Sequence, residues 1–154
     1  CDSPYRTYFR IFYSDFCKTS ILYVKGDKMK YDSINMDGIS ALMEIFYEKI
    51  RADKSGLGDI FNGKIGTDEE SWDKHKAKIA SFWQGMLLGQ GDYNGQPMKA
   101  HIDLPPFKRE LFGVWLGLFE ESLNIVFTPQ IAKEILNKAR GIAQRFEYMI
   151  FEAH

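Results

Sequence analysis

The sequence has little cysteine, little net charge and no long apolar stretch. Cys1 and Cys17 are the only cysteines among 154 residues. The body of the protein is therefore not held by disulfides, which favours a reducing, cytoplasmic location. Because 20 basic residues balance 21 acidic ones, there is no electrostatic argument for nucleic acid or an anionic membrane as a partner. No apolar run is long enough to cross a bilayer, so we expect one domain with no membrane partner.

Residues 1–28 differ in pattern from the rest of the chain. They contain several tyrosines and phenylalanines without a helical period, and charged residues such as Arg6 and Asp15 interrupt any apolar core that a signal peptide would need. A regular helical pattern begins only at Met29. We expect 1–28 to be an N-terminal extension, non-native or disordered, and 29–154 to be the folded domain. The alternative is a genuine extra segment that packs on the domain.

Apolar residues at helical spacing predict an all-α protein with three or four long helices and several short ones. Asn35 or Asp37 can cap the first long helix, which should end near Asp53. Ile60-Phe61 follows as a short apolar turn, because Asn62-Gly63 interrupts regular structure after it.

Three further long helices are indicated by their start and stop signals. Thr67–Glu70 forms a capping box, and Gly89 ends the helix that follows it. The next helix is predicted over Phe107–Val126, and the last begins with Thr128 as cap and Pro129 at its first position. The predicted buried faces of the second and last of the four long helices include Trp72, His75, Ile79, Phe82, Trp83, Met86, Ile131, Ile135, Leu136, Ile142, Phe146, Met149 and Ile150.

Two histidines are the leading candidates for functional residues. His75 lies in the middle of the second long helix pattern. His101 lies on the short segment Met98–Leu104, which begins after Pro97 and which Pro105-Pro106 prevents from extending. One histidine from a helix and one from a stiff turn can bracket a flat metal cofactor, because neutral imidazole nitrogen ligates iron.

Two aromatic donors, Tyr47 and Trp115, lie on other helices and could reach a ligand on the cofactor face opposite His101. The tyrosine hydroxyl and the indole N–H are neutral donors that tolerate burial only with a partner. Taken singly, Tyr47 and Trp115 are more often core residues, and a lone His75 is more often a surface or satisfied helix histidine.

Other metal and nucleotide sites are excluded by the residues present. A di-iron bundle needs paired Glu-x-x-His motifs, which are absent. Cysteine and histidine are too few for a zinc site, and no Walker-type loop, GxGxxG or GxSxG motif occurs.

The region from Met29 to His154 resembles the group III truncated haemoglobins, bacterial globins built as a two-over-two helical sandwich around a haem. The paired-glycine motifs of groups I and II are absent, in keeping with group III. The stretches that carry the resemblance are Met43–Lys49, His75–Ile79, Phe82-Trp83, Gly85–Gly89, Gly91–Pro97 leading into His101, Asp103–Phe107 and Phe119–Val126.

The resemblance implies haem b as the cofactor and His101 as the proximal ligand of its iron. On the distal side it implies three residues that face the ligand, namely Tyr47, His75 and Trp115. Four further positions are implied to line the pocket: Phe61, Ile79, Phe82 and Trp83.

The function implied by the resemblance is binding of O₂, CO, NO or peroxide in a hydrogen-bonding distal pocket. Redox chemistry of a peroxidase-like or oxygenase-like kind, or oxygen handling, is favoured over bulk transport, and the residues do not decide between these activities. A monomer served by an unidentified reductase is expected. The alternatives are a non-catalytic oxygen store or sensor, and a cofactor-free helical interaction module.

Overall fold

The computed structural model describes residues 23–24 and 27–153, with side chains from 29 onward. Tyr23–Val24 (β1) and Asp27–Lys28 (β2) pair as a short antiparallel ribbon, and all other regular elements in this part of the chain are helical. The helices are α1 (Met36–Ala52), α2 (Leu57–Ile65), α3 (Glu69–Leu88), α4 (Pro97–Ile102), α5 (Leu111–Val126) and α6 (Pro129–Phe151). Apart from the ribbon, the predicted extension 1–28 lies outside the described residues, so its nature stays a prediction.

Two helix pairs form the body of the molecule. Helix α1 packs against α3, α5 packs against α6, and contact between α1 and α5 joins the two pairs. Apolar side chains such as Leu42, Phe46, Phe119 and Leu123 are fully buried between them. The predicted two-over-two helical sandwich is therefore confirmed. No helix in the described ranges is both long and apolar enough to cross a membrane.

The start signals of the first two long helices act close to where they were predicted. The Asn35 carboxamide oxygen accepts the N–H of Gly38 at 2.7 Å, which makes Asn35 rather than Asp37 the cap of α1. In α3 the cap is Asp68, whose carboxylate accepts the N–H of Ser71 at 2.9 Å. The predicted capping box began at Thr67, whereas the carboxylate of Asp68, one position later, makes the capping hydrogen bond.

The end of α3 and the starts of α4 and α6 also lie close to their predicted positions. Gly89 ends α3 in the left-handed conformation, with φ of 64°, and its N–H donates to the carbonyl of Gly85. Pro97 occupies the first turn of α4, and Pro129 that of α6. Thr128 is the N-cap of α6, but its side chain makes no capping hydrogen bond.

The segment predicted as an apolar turn is instead helix α2. The Asp53 carboxylate accepts the N–H groups of Ser55 at 3.0 Å and Leu57 at 3.2 Å, and so organises the start of this helix. The amide of Asn62 donates to the carbonyl of Arg51, which ties α2 to the end of α1. Together these hydrogen bonds override the turn preference of Asn62-Gly63.

The third long helix begins at Leu111 rather than at the predicted Phe107. The prolines at 105–106 favour extended backbone, and the chain enters the helix through a turn in which the N–H of Leu111 donates to the carbonyl of Lys108 at 3.1 Å. The ring of Phe107 packs on Phe112 and Phe151 instead, with centroids 5.9 and 5.7 Å away.

Two methionines predicted to be buried are exposed. Met86 retains 42% of its accessible surface and Met149 retains 39%. Each follows a buried aromatic residue, Trp83 or Phe146, by three positions. Three residues of an α-helix turn through roughly 300°, so each methionine is displaced roughly 60° from that buried residue, at the edge of the covered stripe.

A short parallel bridge attaches the chain ahead of α1 to the corner between α5 and α6. The N–H of Tyr31 donates to the carbonyl of Val126 at 2.9 Å, and the N–H of Thr128 donates to the carbonyl of Tyr31 at 2.9 Å. The ring of Tyr31 is buried and lies 6.1 Å from the ring of Phe127. This bridge fixes where α1 begins.

Two glycines of α2 provide a matched test of its packing. A Cβ atom at Gly58 would clash with the carbonyl oxygen of Asp53 and lie 3.0 Å from that of Ile50, whereas a Cβ at Gly63 meets nothing within 4 Å. We expect Gly58→Ala to lower the free energy of unfolding by about 1–3 kcal/mol. Gly63→Ala should raise it by about 0.5–1 kcal/mol. Urea denaturation measures both, and equal effects of the two changes would contradict the close packing of Gly58 against the end of α1.

Candidate functional site

One cavity of about 350 Å³ contains all the site residues predicted from the sequence. This volume falls within the roughly 300–1,000 Å³ typical of sites for small molecules and cofactors. Side chains from all six helices line it, and most of them are apolar or aromatic. The predicted residues in its lining are Tyr47, Phe61, His75, Ile79, Phe82, Trp83, His101 and Trp115.

His101 is held in one orientation by its own short helix. Its Nδ1–H donates to the carbonyl oxygen of Pro97 at 2.6 Å, which places the ring proton on Nδ1 and leaves Nε2 as a free lone pair. The ring also packs against Phe146, with centroids 4.7 Å apart. Burial lowers the pKa of His101, and the bond to Pro97 opposes this only in part. The neutral imidazole that metal ligation requires is therefore favoured.

His75 lines the same cavity and has an unsatisfied polar atom. Its Nε2 is buried and has no hydrogen-bond partner among the described residues. Burial, then the charge of Lys78, then His101 lower the pKa of His75 to about 4, so its imidazole is neutral near pH 7. A buried polar atom without a partner is costly, and such an atom facing a cavity indicates that the cavity accommodates a group to satisfy it.

Tyr47 and Trp115 place two further donors in this lining. Tyr47 is almost fully buried, its ring lies 4.8 Å from that of His75, and burial raises the pKa of its hydroxyl group. Trp115 stacks on Phe119 at 5.1 Å and meets Phe46 edge-on at 5.4 Å. Within residues 29–153 neither the Tyr47 hydroxyl nor the Trp115 indole N–H is hydrogen-bonded. Both donors therefore remain available to a ligand in the cavity.

Sequence reasoning missed several residues of the lining. Lys64 and Lys78 are exposed residues at its margin, and Tyr93 packs edge-on against Phe82 with centroids 5.5 Å apart. Lys78 carried a usable signal, since it follows His75 by three positions on one helix and so lies near it. Lys64 and Tyr93 carried none, because a helix end and a loop reach the cavity only through the tertiary fold.

The residues of the cavity fit an iron porphyrin. One histidine, oriented through its Nδ1 on a short helix, presents a free Nε2, and neutral imidazole is a common protein ligand of haem iron. Aromatic and aliphatic walls suit the flat apolar macrocycle, and two ammonium groups at the margin suit its carboxylates. A second, neutral histidine with an unpartnered nitrogen leaves a polar contact for a small ligand.

Comparison with models of known protein families finds no match for this chain. A curated relative, Group 3 truncated hemoglobin ctb from Campylobacter jejuni, is 58% identical over 124 residues, which make up 80% of this chain and 97% of the relative. Among solved structures, the crystal structure of group III truncated hemoglobin from Campylobacter jejuni matches with a TM-score of 0.79 and 56% identity. That match covers 82% of this chain and 98% of the other.

Proposed function

The chain belongs to the group III truncated haemoglobins and is therefore a globin that binds haem and diatomic ligands, and from this premise we propose how its own residues serve that function. The protein holds haem b and binds O₂, CO, NO or peroxide. It uses them for redox chemistry of a peroxidase-like or oxygenase-like kind, or for oxygen handling, rather than for bulk transport. The observation that carries this proposal is the gathering of His101, His75, Tyr47 and Trp115 around one apolar cavity.

His101 is the protein ligand to the iron. The hydrogen bond from Nδ1 to the Pro97 carbonyl fixes the tautomer and ring orientation and increases the basicity of Nε2. When bound, haem would supply an iron atom able to bind a small ligand. Lys64 and Lys78 would be available to pair with the haem carboxylates at the margin of the cavity, where solvent would keep each ion pair weak.

Tyr47 and Trp115 stabilise the bound ligand. They lie on α1 and α5, so they can donate to the ligand from two directions. Both stay neutral near pH 7, because burial raises the pKa of Tyr47 and an indole N–H does not titrate. Strong retention of the ligand favours chemistry on it over rapid release. His75, which is neutral and has no partner for Nε2, acts mainly on ligand entry.

A non-catalytic oxygen store is the second candidate function. An oxygen store would use the same pocket and the same donors. It becomes the better description if the protein binds O₂ without any turnover. Turnover assays with peroxide and with NO separate the two functions. The reductase partner, the monomeric state and the cytoplasmic location expected from the sequence stay predictions.

Absorption spectra of the ferric, ferrous and CO-bound protein test haem binding directly. We expect an intense Soret band that shifts on reduction and again with CO, at one haem per chain. Purification should follow expression with an adequate haem supply. A missing Soret band in well-folded protein would instead favour a cofactor-free helical module.

A further inference from the structure

A second cavity of about 510 Å³ lies beside the first, and the two share Tyr47 in their linings. We call it the outer cavity and the first one the inner cavity. The lining of the outer cavity is mostly charged or polar, including Glu44, Arg51, Glu69 and Lys76, whereas that of the inner cavity is mostly apolar. None of these four charged residues takes part in the proposed haem site.

Three aromatic rings form the wall between the two cavities. Tyr47 and Trp72 line the outer cavity, and Tyr47 and His75 line the inner one. The Tyr47 ring lies 4.8 Å from that of His75 and 5.7 Å from that of Trp72, and the Trp72 and His75 rings are also 5.7 Å apart. The separation is therefore one layer of side chains thick, and Trp72 is its fully buried member on the outer side.

Trp72 is held in this wall by contacts from the outer side. Its indole N–H donates to the carbonyl of Gly66 at 2.8 Å, and the Arg51 guanidinium lies 4.8 Å from its ring centroid. Arg51 in turn donates to Glu69 at 3.1 Å and to the carbonyl of Thr67 at 3.3 Å. Glu69 is 76% exposed, so part of this attachment is a solvent-accessible ion pair. Each contact is individually weak, and loss of one would loosen Trp72 without unfolding the protein.

Both cations of the outer cavity are paired with carboxylates. Lys76 contacts Glu44 at 2.9 Å and Asp73 at 3.3 Å, and Arg51 contacts Glu69. Since both cations are paired, an incoming anion would have to displace a carboxylate. Small uncharged molecules that donate and accept hydrogen bonds meet no such obstacle, because carboxylates, an amide and a hydroxyl line the cavity.

We propose that the outer cavity is an entrance through which small uncharged polar molecules, namely water and hydrogen peroxide, reach the inner cavity, and that Trp72 is its gate. The proposal rests on the haem site proposed above. Displacement of the Trp72 indole from Gly66 opens the wall beside Tyr47 and His75. Apolar diatomic ligands such as CO do not need this entrance, because the lining of the inner cavity is itself mostly apolar.

Hydrogen exchange of the Trp72 indole N–H measures opening of the gate without reference to haem chemistry. We expect Arg51→Met to accelerate this exchange about five- to tenfold, since it removes the cation over the ring and keeps a side chain of similar length. Lys74→Met is the matched control, because Lys74 lies on the same helix in an exposed pair with Glu70. If the Trp72 indole N–H exchanges at the same rate in Arg51→Met as in Lys74→Met, the proposal that Trp72 is a gate is wrong. NMR of ¹⁵N-tryptophan-labelled protein gives the rates.

Stopped-flow mixing tests the entrance itself. Reaction of the ferric protein with hydrogen peroxide should be several times faster in Arg51→Met and in Trp72→Phe, while CO association with the ferrous protein changes by less than about twofold. If indole exchange is faster in a variant but its rate of reaction with peroxide is unchanged, the outer cavity is not the entrance. If the rate of CO association rises by the same factor, the entrance is not selective for polar molecules. Arg51→Met leaves the three rings in place, so a folding defect in Trp72→Phe does not remove the test. A Soret band in each variant separates these outcomes from a failure of haem binding.

Discussion

Replacing His101 with alanine is expected to abolish stable haem retention. In the proposed site the Nε2 atom of this residue forms the one bond from the chain to the iron. The hydrogen bond from Nδ1 to the Pro97 carbonyl orients the imidazole ring. The apolar walls would still attract the porphyrin, but without the axial ligand it should be lost during purification. Haem content per chain, measured from the absorption of the extracted haem, should fall at least about tenfold, which corresponds to about 1.4 kcal/mol or more of binding free energy.

Two comparisons make the His101→Ala result decisive. Added imidazole should restore haem binding, because it can occupy the space of the missing ring and supply the same nitrogen. Lys99→Ala changes an exposed residue of the same short helix and should retain haem normally. Normal haem content with an unchanged ferrous spectrum in His101→Ala would show that another residue is the ligand.

The rate of O₂ dissociation should rise about tenfold in Tyr47→Phe and in Trp115→Phe. A hydrogen bond in a dry pocket contributes about 1 kcal/mol, or more where the acceptor carries charge, and about 1.4 kcal/mol corresponds to a tenfold change in rate. Phenylalanine removes the donor in both cases and keeps an aromatic ring beside Phe46. CO is a weaker acceptor, so its dissociation should change less. Stopped-flow measurement of ligand release provides these rates.

Tyr148→Phe serves as the control for the distal variants. Tyr148 is 55% exposed on α6, so the same chemical change there should leave O₂ release unaltered. Substitution of His75 should alter ligand association more than dissociation. If neither Tyr47→Phe nor Trp115→Phe accelerates release, the proposed donors do not contact the ligand.

Features that depend on neighbouring residues were predictable from the sequence. The cap at Asn35, the stop at Gly89 and the start at Pro129 each act through backbone groups within a few positions, so local spacing is sufficient to place them. The helix class followed from the periodicity of apolar residues. The eight candidate site residues required the family resemblance as well, because residues such as Tyr47, taken singly, are more often core residues.

Features that depend on distant contacts were not predictable. Helix α2 is tied to the end of α1 by the hydrogen bond from the Asn62 amide to the Arg51 carbonyl, 11 positions away, and a Gly-rich sequence does not reveal that bond. Lys64 and Tyr93 join the cavity only because α2 and the loop before α4 fold back to it. The wall at Trp72 likewise combines residues from α1 and α3 with the loop between α2 and α3. No spacing rule connects these segments.

The bridge between Tyr31 and Phe127 has a consequence for the order of folding. It joins residues roughly 100 positions apart, and closing so long a loop costs conformational entropy that grows with the logarithm of its length. Helices α5 and α6 are neighbours in sequence and can pair before that cost is met. We therefore expect the segment ahead of α1 to lock into place late in folding. Weakening the Tyr31 contacts should then shorten the lifetime of the native state and leave the rate of its formation nearly unchanged.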